Sequence, residues 1–208
     1  MRTRIKVCGL TRIEDVQSAV AAGVDALGFV FVGQSRRNLT LAQARELFAA
    51  VPPFVQTVAL FMNAEAAMVH QVCDQLSPGL LQFHGNESAA YCEQFGCPYI
   101  KAIPAREGEA TVNAIIAEHK QAAGFLLDSH GGDKLGGTGE TFDWSMWPSK
   151  VDRPLILAGG LNPENVRQAI EMLHPYAVDV SSGVECAPGI KDPLRISRFI
   201  NEVNHAKG

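Results

Sequence analysis

The sequence predicts an α/β protein built from one repeated unit. Short apolar segments alternate with segments of helical periodicity along all 208 residues. This alternation is typical of a parallel sheet covered by helices. The unit recurs eight times without a linker or a break in composition, which favours closure of the sheet over an open arrangement. We therefore expect residues 1–208 to form a single-domain (β/α)8 barrel, or TIM barrel.

The apolar segments are the predicted strands. Parallel strands that are buried on both faces read as continuous apolar runs. The eight segments of this kind are residues 5–8, 25–31, 55–61, 80–83, 98–103, 124–127, 155–157 and 177–180. An open doubly wound sheet would more often carry a dinucleotide-binding motif after its first strand, and Cys8-Gly9-Leu10-Thr11 is not one.

Helical segments lie between the strands, with apolar residues three and four positions apart. The residues that show this spacing are Ile13, Val16 and Val20; Leu41, Ala44 and Phe48; Val69, Val72, Cys73 and Leu76; Val112, Ile115, Ile116 and His119; Val166, Ala169, Ile170 and Leu173; and Ile196, Phe199, Ile200 and Val203. Residues 86–95 form the least periodic helix.

Several helix ends have sequence signals of their own. Residues 11–14 and 40–43 fit the capping-box pattern, in which a threonine and a Glu or Gln cap a helix start together. Asn162-Pro163-Glu164 predicts the start of the seventh helix. Pro52-Pro53 is expected to stop the second helix, and Asp192-Pro193 to start the last.

Composition excludes several classes of protein. The net charge is -4, with 19% charged residues, so there is no basic excess for nucleic-acid binding. No apolar run is long enough to span a membrane, and the amino terminus lacks a signal peptide, so we expect a cytoplasmic protein. Five widely spaced cysteines disfavour a disulfide framework, and the absence of a C-x-x-C pair disfavours structural zinc.

Two small-residue turns near the carboxyl end predict a phosphate site. Gly159-Gly160 follows the seventh predicted strand, and Ser182-Gly183 follows the eighth. Glycines let a phosphate approach backbone N–H groups, and the loops after strands 7 and 8 of such barrels frequently bind one. A single turn of this type would more often be a plain tight bend.

Other polar residues stand at or beyond the carboxyl ends of the predicted strands, where barrel enzymes place their active sites. They are Cys8, Arg37, Asn63, His84 and Asp128. Each has an ordinary alternative role: a buried thiol, a surface charge, or a cap of a turn or helix. Together they indicate an acid–base site for a phosphorylated, anionic substrate.

The order of motifs resembles that of phosphoribosylanthranilate isomerase over nearly the whole chain. The motifs are Lys6-Val7-Cys8-Gly9-Leu10-Thr11, Gly28-Phe29-Val30-Phe31, Ser35-Arg36-Arg37, Gln82-Phe83-His84-Gly85, Gly136-Gly137-Thr138-Gly139, Phe142-Asp143-Trp144, Leu157-Ala158-Gly159-Gly160-Leu161, Asp179-Val180-Ser181-Ser182-Gly183-Val184-Glu185 and Lys191-Asp192. The combination is highly specific.

The resemblance implies an enzyme of tryptophan biosynthesis that needs neither a metal nor an organic cofactor. Members of the family convert N-(5-phospho-β-D-ribosyl)anthranilate to 1-(2-carboxyphenylamino)-1-deoxy-D-ribulose 5-phosphate, which is an Amadori rearrangement. By motif position, Asp128 is expected to be the general acid and Cys8 the general base.

The resemblance also implies the substrate contacts. Arg37 would face the anthranilate carboxylate, and His84 would contact the substrate. The turns at Gly159, Gly160, Ser182 and Gly183 would hold its phosphate. The family usually has proline where this chain has Arg36, and we assign the carboxylate to Arg37 by spacing. The expected partner is the small phosphorylated substrate, with no nucleic acid or membrane, in a monomer or homodimer.

Two other functions compete with this interpretation. A metal-dependent sugar-phosphate epimerase would need several His and carboxylate ligands at strand ends, and the sequence offers His84, Asp128 and, two residues further, His130. A non-catalytic phosphosugar-binding barrel would keep the glycine turns and Arg37, but would not need Cys8 and Asp128. The retention of both favours the enzyme.

Overall fold

Eight parallel strands close into a barrel in the computed structural model, which describes residues 2–104, 108–128, 147–148 and 151–206. Strands pair with their neighbours in sequence order, and the eighth pairs with the first. Their bounds are β1 Arg4–Cys8, β2 Ala26–Val30, β3 Gln56–Phe61, β4 Leu80–Phe83, β5 Tyr99–Pro104, β6 Gly124–Asp128, β7 Leu155–Ala158 and β8 Ala177–Val180. The predicted barrel is therefore confirmed.

Helices cover the outside of the barrel. Within the described residues they are α1 Ile13–Ala22, α2 Leu41–Ala49, α3 Ala66–Leu76, α4 Ala89–Glu93, α5 Glu109–Glu118, α6 Val166–Leu173 and α7 Pro193–His205. The connection from β6 to β7 lies mostly outside the described residues. None of the described helices is long and apolar enough to cross a membrane.

Side chains alternate along each strand between the helix layer and the barrel interior. The helix side holds the large residues, including the fully buried Phe29, Phe61, Phe83 and Phe125. Burial of a side chain of this size contributes roughly 1.5–3 kcal/mol. The interior holds smaller apolar residues, namely Ile100, Ala102, Leu126, Ile156, Ala158 and Ala177. Among the described residues, the buried polar side chains of Lys6, Gln82 and Asp179 also lie there.

Hydrogen bonds at the helix ends show which of the predicted caps form. Thr40 and Gln43 form the expected capping box at α2, and Asp192 caps α7 with Pro193 as its first residue. The box predicted at residues 11–14 was wrong. Arg12 is the N-cap of α1 without a side-chain cap, because the Thr11 hydroxyl instead donates to the carbonyl of Gly189 at 2.5 Å.

The structure differs from the prediction at three further places. The helix after β4 is only five residues long. The helix after β7 begins at Val166, because Asn162 Oδ1 accepts the backbone N–H groups of Glu164 and Asn165 and holds a turn there. An antiparallel hairpin, β9 Glu185–Ala187 and β10 Ile190–Lys191, was not predicted. It lies between β8 and α7 and follows the 3₁₀ turn Ser182–Val184.

Candidate active site

The barrel places the predicted site residues at one of its ends. Cys8 and Asp128 end β1 and β6, and His84 follows β4 directly. Because all eight strands are parallel, their carboxyl ends form a single mouth. Residues 129–141, with His130, and the motifs at 136–139 and 142–144 lie outside the described residues.

The Cys8 side chain is buried in a small apolar surrounding formed with Val30 and Leu60. Its sulfur lies against Gly28, where a Cβ atom would be 2.6 Å from Sγ. Burial raises the pKa of the Cys8 thiol above its ordinary value, although Lys6 and Lys191 act in the opposite direction. At neutral pH the side chain is therefore a thiol.

A buried ion pair lies beneath Cys8. Lys6 is paired with Asp179 of β8 across the strand ladder, and Nζ lies 2.8 Å from Oδ2. Burial opposes the charge on Lys6, but Asp179 and Cys8 raise its pKa, so the side chain is an ammonium. Oδ1 of Asp179 has no hydrogen-bond partner within the described part of the chain.

Arg37 is fixed by Glu185, the first residue of the unpredicted hairpin. Its Nε and Nη2 atoms donate to the two carboxylate oxygens, each at 2.7 Å. Burial disfavours the charge on Glu185, but Arg37 and Lys191 lower the pKa of the carboxyl group below its ordinary value. Arg36, by contrast, is exposed, so the structure directs Arg37 and not Arg36 inward.

Lys191 connects the hairpin to the barrel mouth. Its buried Nζ donates to the Cys8 carbonyl at 2.7 Å, to the Ser181 carbonyl at 3.0 Å and to Glu185 at 2.9 Å. The same ammonium therefore joins the ends of β1 and β8 to the residue that holds Arg37. A fully buried lysine is retained in a fold when such acceptors compensate for its desolvation.

His84 contacts Asp128. Its Nε2 lies 3.3 Å from Oδ2 of the aspartate, and its Nδ1 lies 3.1 Å from Nε2 of Gln82. An amide nitrogen only donates, so Nδ1 is the acceptor and the ring proton is on Nε2, facing Asp128. The prediction gave His84 a substrate contact. The structure adds a contact with the proposed acid.

The two small-residue turns meet at the mouth. Gly159 and Gly160 both have positive φ, 86° and 63°, and no hydrogen bond within the described residues uses their backbone N–H groups. A Cβ atom at Gly183 would lie 1.9 Å from the carbonyl oxygen of Leu161. The close approach of the two loops thus depends on glycine. It leaves backbone donors available for a phosphate.

Sequence reasoning gave no role to Lys6, Gln82, Asp179, Glu185 or Lys191. The first three carry a signal that could have identified them, since each is a polar residue at an inward position of a mostly apolar strand. The last two belong to strands of three and two residues, which are too short for periodicity to detect. Within the described residues, no three His, Cys, Asp or Glu side chains form a group that could hold a metal ion.

Comparison with known proteins decides the family. A model described as N-(5'phosphoribosyl)anthranilate (PRA) isomerase matches residues 5–202. The chain belongs to the phosphoribosylanthranilate isomerase family. The resemblance seen in the sequence motifs is thereby confirmed. The phosphoribosylanthranilate isomerase of Pseudomonas fluorescens strain Pf0-1 is 52% identical over 200 residues, which is 96% of this chain and 98% of the relative.

Solved structures of phosphoribosylanthranilate isomerases share the barrel. The Thermotoga maritima structure matches with a TM-score of 0.89 and 38% identity, covering 97% of this chain and 98% of the other. A second isomerase structure, with a TM-score of 0.85 and 37% identity, covers 97% and 98% of the two chains. It is a complex with reduced 1-(o-carboxyphenylamino)-1-deoxyribulose 5-phosphate.

Proposed function

We propose that this chain catalyses the Amadori rearrangement of N-(5-phospho-β-D-ribosyl)anthranilate with Asp128 as general acid and Cys8 as general base. Family membership over residues 5–202 supports the reaction. The observation that supports the two roles is the position of both side chains at one barrel mouth, on β1 and β6. We place the reaction in tryptophan biosynthesis in the cytoplasm, in a single domain of residues 1–208.

Asp128 acts in the first step. Its carboxylic acid protonates the ribose ring oxygen, the bond from that oxygen to C1 breaks, and the nitrogen lone pair forms a C=N bond. The product is an open-chain cationic Schiff base. The Nε2–H of His84, 3.3 Å from Asp128, stabilises the carboxylate that remains.

Cys8 acts in the second step. Its thiolate takes the proton from C2, and the electrons of that bond form C1=C2 and neutralise the nitrogen. The resulting enolamine becomes the ketone when its hydroxyl loses a proton and C1 gains one. The cationic nitrogen itself acidifies the C2 proton, so the base needs no electrophilic partner other than the substrate.

The remaining residues orient the substrate. Glu185 occupies Nε and Nη2 of Arg37 and directs the guanidinium, which leaves Nη1 for the anthranilate carboxylate. The second N–H of Nη2 also remains, so the end of the guanidinium can still donate two parallel hydrogen bonds to that carboxylate. The turns at Gly159, Gly160, Ser182 and Gly183 supply backbone donors for the phosphate.

The reaction is tested by following the loss of fluorescence of freshly generated phosphoribosylanthranilate, with chelator present. We expect turnover by the wild type and losses of at least about 10²-fold in Cys8→Ser and Asp128→Asn, the usual scale for general acid–base groups. Cys186→Ser and Asp74→Asn, at exposed positions, are the matched controls and are expected to retain activity. Turnover that survives both site substitutions would refute the two roles, whereas a wild type without turnover would refute the reaction.

A further inference from the structure

Lys6 is the inward-facing residue that precedes Cys8 on β1. Two residues separated by one position on a strand point to the same face. Both side chains therefore lie inside the barrel, and both are buried. The lysine is held there by Asp179, its register neighbour on β8, through the 2.8 Å ion pair. The positive charge of Lys6 lowers the pKa of the Cys8 thiol, against the effect of burial.

The elements around Cys8 differ in charge. The β2 and β3 side is uncharged and consists of Gly28, Val30 and Leu60. An apolar wall of this kind disfavours the thiolate, because a charge in it loses its hydration.

Charged groups act on Cys8 from its own strand and from three other elements. They are Lys6 on its own strand, Asp179 on β8, Lys191 on β10 and Arg37 in the loop after β2. Lys191 and Arg37 both share Glu185 as their counter-ion, and the contact from Lys191 to Cys8 is to the backbone carbonyl. Lys6 is instead paired with Asp179, and its side chain lies on the same inner face of β1 as that of Cys8.

We propose that Lys6 is a positioning residue for the base: its ammonium, held inside the barrel by Asp179, faces the Cys8 sulfur and favours the thiolate. The proposal rests on the proposed function, in which Cys8 removes the C2 proton. It supplies a fixed cation that opposes the effect of burial on the Cys8 thiol. Asp179 has two opposing effects, because it holds the lysine in place while its own negative charge disfavours the thiolate.

Removal of the Lys6 charge and removal of the Asp179 charge should shift the ionisation of Cys8 in opposite directions. Lys6→Met keeps the length of the side chain but removes the cation, so the thiolate of Cys8 should form only at higher pH. Asp179→Asn removes the competing anion, so the thiolate should form at lower pH. A purely structural ion pair would give no such opposition, since both substitutions would only loosen the barrel.

The test measures how fast iodoacetamide alkylates Cys8 in the intact protein from pH 6 to 10, with the modified peptide quantified by mass spectrometry. Only the thiolate reacts, so the profile reports its fraction. We expect Lys6→Met to slow alkylation at least about tenfold at a given pH, the effect of moving one charge at contact distance. Asp179→Asn should accelerate it. Turnover by Lys6→Met should show a lower kcat near neutral pH, with KM little changed.

Two further variants control for folding. Lys101→Met removes another buried lysine, paired with Glu87 on the helix side of the sheet, and should leave the Cys8 profile unchanged. If Lys6→Met does not fold, the double variant Lys6→Met/Asp179→Asn replaces the pair with neutral groups. Its profile should then lie at higher pH than that of Asp179→Asn alone.

Shifts in the same direction for Lys6→Met and Asp179→Asn, or no shift in either, would overturn the proposal. So would coincident profiles for Asp179→Asn and the double variant. These outcomes are separate from the proposed function, because alkylation is read without substrate. If the wild type is active but Lys6→Met leaves the alkylation profile of Cys8 unchanged, the proposed reaction stands and only the proposed role of Lys6 is refuted.

Discussion

At the residue scale, the position of the Cys8 sulfur depends on Gly28. The two residues are opposite each other on β1 and β2, and the sulfur occupies the space that a side chain on Gly28 would take. Arg37 makes a similar demand on Gly9, where a Cβ atom would collide with the arginine Cδ. Both glycines thus make room for a neighbouring side chain that we place in the active site.

Gly28→Ala is predicted to displace the sulfur. The new methyl would lie 2.6 Å from Sγ and 3.0 Å from the Cys8 Cα, so the short side chain cannot avoid it without a backbone shift. We expect a loss of kcat of at least about tenfold and a stability loss of about 1–3 kcal/mol, as for other overpacked cores. Turnover and urea unfolding measure the two effects. Gly33→Ala, where a Cβ meets nothing within 4 Å, is the control; equal behaviour of the two variants would contradict the prediction.

The candidate site residues that the strand pattern alone could bring together are those whose position needs only the fold. Cys8 and Asp128 end strands, and the ends of parallel strands share one side of a sheet whatever the register. The pairing of Lys6 with Asp179 was out of reach, because it needs the register of two strands at opposite ends of the chain. The contact of His84 with Asp128 likewise joins β4 to β6, which are not neighbours.

At the element scale, the loops after β7 and β8 act as one unit. Gly183→Ala is predicted to separate them, because its methyl would collide with the backbone carbonyl of Leu161, which cannot rotate away as a side chain would. If the loops jointly bind the phosphate, KM for phosphoribosylanthranilate should rise more than tenfold, about the value of one or two lost hydrogen bonds to a charged group. Inhibition by inorganic phosphate should weaken in parallel. An unchanged KM would place the phosphate elsewhere.

The hairpin β9–β10 stabilises the mouth through Glu185. The pKa of this carboxyl group is lowered from 4.5, so its ionised form stabilises the fold above pH 4.5, and this contribution is lost as the pH falls through the lower folded value. Glu185→Gln should reduce the free energy of unfolding at pH 7 by about 3 kcal/mol, because it leaves Lys191 buried without its anion.

Urea unfolding at pH 7 and at pH 3 tests this pH dependence. The difference between wild type and Glu185→Gln should shrink at the lower pH, because below the ordinary pKa of 4.5 the unfolded chain takes up a proton at this position and the stabilising contribution of the carboxylate falls. Glu171→Gln, which removes an exposed helical pair with Arg167, should change stability little at either pH. A difference for Glu185→Gln that is the same at both pH values would show that its charge is not the cause.

At the scale of the whole molecule, the barrel was predictable because each of its elements carries its own pattern. Continuous apolar runs identified the buried strands, and spacing of three and four identified helices such as α6 and α7. The hairpin was not predicted, because it is held by tertiary contacts such as those of Lys191 with Cys8 and Ser181. Such contacts join residues that are far apart in the chain, so a local sequence pattern does not predict them. The helix predicted at 86–95 is present but shorter, Ala89–Glu93.

In the barrel, the residues that mainly stabilise the fold differ from those that we expect to act on the substrate. Phe199 of α7 is fully buried in the layer between helices and strands and is not one of the residues that we place in the active site. Phe199→Ala should lower the free energy of unfolding by about 3–5 kcal/mol, because it leaves a cavity that the rigid sheet cannot fill. Below its unfolding transition, the variant should keep the wild-type kcat, since the mouth is built from strand ends and loops that the cavity does not reach. Phe54→Ala, at a fully exposed phenylalanine, is the matched control and should change neither property. Denaturant unfolding and turnover, measured on the same preparations, test both expectations. A fall in kcat of the folded Phe199→Ala protein would mean that the helix layer and the mouth are coupled.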